Sequence, residues 1–126
     1  MITTLSEDDT KRTIEPVQAP RWDAVEAALR RLDNHRFTMV GLSVDEDHYM
    51  LVGGGAGTYV CTIHNRDEDL NLLVSGGATG DPVTIVAGQG TEYPTDEVVD
   101  LPTVLAAVRA YYTTGVASSQ LDWRRY

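Results

Sequence analysis

The stretch YMLVGGGAGTYVCTIHN, residues 49–65, holds the residues best placed for phosphate chemistry. Gly53 to Gly57, with Ala56 among them, lie between two apolar runs. A phosphate-binding loop follows a strand and opens a helix, because backbone N–H groups and a helix N-terminus hold the anion. In the Walker form, Lys and Ser or Thr must follow the last glycine. Here Thr58-Tyr59-Val60-Cys61-Thr62-Ile63 follows, and its β-branched and aromatic residues predict a strand. The chain's only lysine is Lys11, far from the glycines. Glycine between two strands supplies positive φ at a hairpin or bulge, so the run is expected to turn the chain.

Other reactive side chains are few. His35, His48 and His64 are the only histidines, and no two stand at the i,i+4 helical spacing of a zinc pair. His48 beside Asp45 and Asp47 reads as a solvated hairpin tip, as does His64 beside NRDED. Cys61 shares a predicted strand face with Tyr59 and Ile63, so its thiol is expected to be buried and inert. Ser75 precedes two glycines but lacks the Gly-x before it that a nucleophile elbow requires. Carboxylates are abundant, yet none sits in an apolar stretch that would raise its pKa. These residues predict no enzyme, no metal and no cofactor.

Two helices and a set of short strands are expected to carry them. RWDAVEAALRRLDN places Trp22, Val25, Ala28, Leu29 and Leu32 at helical spacing, with Asn34 as a left-handed stop. From Phe37 the period becomes two, and a strand is expected to run to the turn DEDH. Tyr49 to Val52, Thr58 to His64, Leu70 to Val74 and Val83 to Ala87 predict four more strands, divided by NRDED and SGGATGDP, while Val98-Val99 extends or flanks the sheet. In the second helix Asp100 is the expected N-cap, Pro102 lies in the first turn, and Leu101, Val104, Leu105, Val108, Tyr111 and Tyr112 form the stripe. Gly115 is its expected stop, and Trp123 is expected to pin the tail to the body. Residues 1–20 read as an irregular lead-in with room for one short strand. The expectation is one α+β domain over residues 1–126: an antiparallel meander of about five or six strands with two main helices on one face.

A chain of 126 residues supports a single self-sufficient core, and one cysteine rules out an internal disulfide. No apolar run approaches a membrane span and no leader pattern opens the chain, so the cytoplasm is the expected compartment. The net charge of −9 is unevenly spread. Between Phe37 and Val108 stand eleven acids and a single base, Arg66, while most positive residues lie towards the two ends. Such a middle repels nucleic acid and attracts a basic protein. Asp45-Glu46-Asp47 and Asp67-Glu68-Asp69 occupy two turns that a meander brings to the same end. Pooled carboxylates repel one another. A solvated edge and a partner-binding patch both remain open readings of that cost.

LVGGGAGTYV, then GQGTEYPTDEVVDLPTVLAAVRAYYTTG, then LDW together resemble the immunity protein family Imm1, from about Leu42 to Trp123. The resemblance implies a small antidote encoded beside a polymorphic toxin, frequently a nucleic-acid deaminase, which it binds and silences. It carries over no catalytic residue, and it makes Gly53, Gly54, Gly55, Gly57, Pro94, Gly115 and Trp123 structural. The expected partner is thus a basic toxin domain, bound as a heterodimer or met by a monomer, with no nucleic acid and no membrane involved. Asp45, Glu46, Asp47, Asp67, Glu68, Asp69 and Glu92 are the candidate charged contacts. Tyr49, beside His48, and Tyr93, beside Glu92, are the candidate anchors, with half-buried strand tyrosines as the plainer reading. A non-catalytic acidic interaction module with no toxin partner is the alternative.

Overall fold

The computed structural model describes residues 2–72, 80–87 and 90–125. Seven antiparallel strands form one sheet, whose spatial order is the second, first, third, fourth, fifth, sixth and ninth strand of the chain. They are β1 (Thr4–Asp9), β2 (Val17–Gln18), β3 (Phe37–Asp45), β4 (His48–Gly55), β5 (Thr58–His64), β6 (Asp69–Leu72) and β9 (Trp123–Arg125). β7 (Val83–Ile85) and β8 (Thr91–Tyr93) make a separate two-stranded ribbon. Helices α1 (Trp22–Arg31) and α2 (Leu101–Thr114) pack on one sheet face and against each other.

The two-residue period decides which side chains meet the helices. Leu5, Leu42, Met50 and Ile63 stand side by side across β1, β3, β4 and β5, and Val40, Val52 and Cys61 form the next row. All are buried, together with Val25, Ala28 and Leu29 of α1 and Val104, Ala107, Val108 and Tyr111 of α2. Trp22 joins the helices at their exposed seam. Its ring lies 5.5 Å from that of Tyr112 and under the Arg109 guanidinium at 4.6 Å.

The second helix has the ends its residues predict. Asp100 accepts a hydrogen bond from the Thr103 N–H at 3.0 Å, and Gly115 closes the helix at φ 74°. Asn34 is left-handed, at φ 61°. Val99 exchanges two backbone hydrogen bonds with Tyr59 and so flanks the sheet.

Three segments depart from expectation. The lead-in contains a full six-residue strand, β1, set inside the sheet between β2 and β3. Its acid-rich sequence hides it, because each carboxylate has its own partner. Glu7 pairs with Arg31, Asp8 accepts from the Thr38 hydroxyl, and Asp9 takes both arms of Arg36. The tail also forms a strand, with β9 closing the β6 edge while the Trp123 indole N–H donates to the Ser118 carbonyl. The strand expected over Val83 to Ala87 ends at Ile85 and leaves the meander for the ribbon. The expected end of the fourth strand at Val74, and most of SGGATGDP, lie outside the described residues.

Asp9 makes the strongest local electrostatic arrangement. Its side chain is buried, and the Lys11 N–H and the Arg12 guanidinium add to the Arg36 pair. Hydrogen bonding from Arg36 is the chief cause that lowers its carboxyl from 3.8 to about 2, against the opposing effect of burial. A folded pKa below the unfolded one contributes stability that is complete above about pH 4 and drains away as pH falls towards 2. Urea midpoints taken from pH 4 down to pH 2 are therefore expected to fall less steeply for Asp9→Asn than for the wild type, although Asp9→Asn starts lower.

Candidate partner-binding site

The glycine run shapes the sheet face that carries no helix. β4 continues through Gly53, Gly54 and Gly55, and only Ala56 and Gly57, at φ 54° and 92°, make the turn. Two positive φ values in a two-residue loop match the twist of the flanking strands. The strand glycines are set by crowding. A Cβ on Gly53 would meet Ala87 Cβ at 3.1 Å and Ile85 Cγ2 at 3.2 Å, because the β7–β8 ribbon crosses there. One on Gly54 would run into the Thr58 carbonyl oxygen. One on Gly55 would lie 2.5 Å from both Asp33 N and Leu32 C. The run turns the chain, as its flanks predict, and also seats two other segments against β4.

Asn34 fixes the ribbon. Its amide donates to the Thr84 carbonyl at 3.1 Å and its oxygen accepts from the Val86 N–H at 2.7 Å. Nothing local in the sequence signals this pairing across about fifty positions; Asn34 reads there only as a helix stop. The ribbon covers part of the helix-free face and leaves a groove of about 250 Å3. Met39, Leu51, Gly53 and Val60 form its floor, Thr62 and His64 its far end, and Ala87, Thr91 and Tyr93 its wall.

Beyond His64 the groove meets the two acid turns. Asp45–His48 joins β3 to β4 and His64–Asp69 joins β5 to β6, so both emerge at one end of the sheet. Arg66 ties them together through a 2.6 Å contact with Asp47. Tyr49 stacks on His64 with ring centroids 4.8 Å apart. His64 Nδ1 lies 3.0 Å from Asp69, so its Nδ1–H donates there, and in the neutral ring Nε2 accepts from the Thr62 hydroxyl at 3.0 Å. At the other turn His48 Nδ1 lies 2.8 Å from Asp45, and this bond, with the Asp47 N–H second, holds the Asp45 carboxyl below its usual range.

The charge at this end is more compensated than the sequence suggests. Asp45 pairs with His48, Asp47 with Arg66, Asp69 with His64, and Glu68 with Arg125 at 2.7 Å. The C-terminal arginines return through β9, where Arg124 also meets Asp96 and Glu97. Glu46 and Asp67 alone of the six have no side-chain partner among the described residues. Six carboxylates against Arg66 and Arg125 leave a surplus of four negative charges with both histidines neutral. Tyr49 and Tyr93 stand on this same face, one beside His64 and the other on the groove wall. Glu92 does not join them, since strand alternation turns it to the other side of the ribbon from Thr91 and Tyr93.

Of the other reactive groups, Cys61 is fully buried in the core, and burial pushes its thiol up to about 12, so it is no nucleophile at neutral pH. Among the described residues, no group of three or more His, Cys, Asp or Glu is placed to hold a metal ion. Among them, too, no helix is long and apolar enough to cross a membrane.

The fold and site define a small α+β domain with one sheet face half open and two acid turns meeting at one end of it. The chain belongs to the Imm1 immunity protein family, whose profile matches residues 14–125. The match begins earlier than the resemblance visible from Leu42, and so takes in α1 and the β2 edge. Membership implies a toxin as the partner and is generally non-catalytic. No curated protein matches the chain.

Proposed function

We propose that the protein is a cytoplasmic antidote that binds its cognate toxin domain, a nucleic-acid deaminase, as a one-to-one complex and occludes its active site or substrate groove. The observation that carries this reading is the convergence of Asp45-Glu46-Asp47 and Asp67-Glu68-Asp69 at one end of the half-open sheet face. A protein that handles nucleic acid presents Lys and Arg to phosphates, and an acid-rimmed surface is its electrostatic complement. Complementarity of this kind raises association towards about 10⁸ M⁻¹s⁻¹ at low salt. An interface of roughly 1,600 Å2 with aromatic anchors such as Tyr49 and Tyr93 would then supply residence time.

One observation favours a competing reading. Four of the six turn acids already have partners within the chain, as they would on a solvated edge of an acidic interaction module with no toxin partner. Expression of the toxin domain from the adjoining gene separates the two. With this protein co-expressed, cells are expected to grow, and the purified pair is expected to elute as one species on size exclusion. Continued toxicity together with separate elution would sink the antidote reading and leave the module.

A further inference from the structure

We infer that the groove between the β7–β8 ribbon and the sheet is the specificity subsite for the toxin: it receives one large apolar side chain from a toxin loop that carries a basic residue a few positions along. The inference rests on the antidote reading above and adds where the partner is gripped and by what kind of residue.

Size comes first. A space of about 250 Å3 falls below the roughly 300–1,000 Å3 of small-molecule sites and suits a single side chain. Chemistry comes next. Met39, Leu51 and Val60 give an apolar floor, and the polar groups at its far end are already committed, Thr62 to His64 and His64 to Asp69. The Thr91 and Tyr93 hydroxyls on the wall are the polar groups left for an occupant, so a side chain that is apolar where it meets the floor fits. Methionine and tyrosine, on floor and wall, are enriched in protein interfaces, and an unbranched thioether adapts to the shape that enters.

Position supplies the rest. His64 belongs to the groove and also opens the turn that carries Asp67, an acid with no side-chain partner among the described residues. A basic residue beside the inserted side chain therefore meets a carboxylate free to receive it. The occupant is thus a loop of a basic protein, which distinguishes it from a second copy of this acidic chain.

The test uses full-length protein and the toxin domain of the adjoining gene in an inactive form. Thr62→Tyr fills the groove with a residue suited to a strand, and Leu51→Ala empties part of its floor. Each is expected to weaken the complex by about thirtyfold or more, the scale of an interface hot spot. Glu26→Gln on the outer side of α1 is expected to leave affinity unchanged. Methyl NMR on the unaltered protein gives a second readout. The Met39 methyl is expected to shift on complex formation, while Met50, 1 % exposed beneath the helices, stays put. A wild-type complex of full strength, with unchanged affinity in both groove variants and a stationary Met39, overturns the subsite and leaves the antidote reading standing. Absence of any wild-type complex overturns both. A Met39 shift that appears on concentrating the protein alone assigns the groove to self-association and also overturns the inference.

Discussion

Substituting alanine for Gly55 is expected to lower stability by about 3 kcal/mol or more, the sum of left-handed backbone strain and an overpacked contact. Gly55 has φ 138°, and a Cβ there would press on Leu32 C, Asp33 N and Asn34 N at 2.5–2.6 Å. These are backbone atoms, which cannot swing aside as the end of a flexible side chain can. The connection from α1 to β3 is braced as well, because Asp33 Oδ1 accepts from the N–H groups of His35, Arg36 and Phe37. For a domain of this size the loss corresponds to a fall in melting midpoint on the order of 10 °C. Gly57→Ala is the control. It has φ 92° but open space around it, so strain alone, about 1 kcal/mol, is expected. Thermal melts of the two variants check the comparison. Equal midpoints would show that the connection yields and that crowding is not what selects glycine at position 55.

The second large effect concerns association with the toxin. Glu46→Lys combined with Asp67→Lys is expected to slow association at low salt by roughly ten- to a thousandfold, with the gap closing as salt rises. These two positions are chosen because neither acid has a side-chain partner among the described residues. Reversing Asp47 or Glu68 would break the pairs with Arg66 and Arg125 and mix folding with binding. The double variant changes the surplus of four negative charges at this end to zero, with little reason for the sheet to respond. Stopped-flow association across a salt series measures it. A rate that ignores both substitutions would remove electrostatic steering from the account, even where the complex itself survives.

How much of this was legible in the sequence varies by element. Alternation from Phe37 to His64 predicts the central strands, and Asp100, Pro102 and Gly115 mark the second helix with both its ends, because these signals are local. The meeting of the two acid turns follows from topology alone. β1 is not legible, since a strand reading SEDD looks like a solvated segment until Arg31, Thr38 and Arg36 are brought to it from about 24 to 30 positions away. The charge balance fails for the same reason. Arg124 and Arg125 stand at the end of the chain but in space beside Asp96, Glu97 and Glu68. The groove was only half visible. Its glycines, His64 and Tyr93 each attract notice, yet the clamp that sets its wall joins Asn34 to Thr84 and Val86, and no periodicity reports such a contact.

The outermost strands of the sheet carry a consequence for behaviour at high concentration. β2 offers only two residues to a would-be neighbour, and β9 offers three, of which two are arginines. Long, flat, apolar edges are templates on which another chain can pair and fibrils can grow. Here β2 pairs with β1 at Thr4 and Leu5 alone, and the rest of that outer row carries the carboxylates of Glu7, Asp8 and Asp9, which resist a flat apolar neighbour. Stacking into ribbons is disfavoured at the margin of the sheet, and the face left for company is the one shaped by side chains.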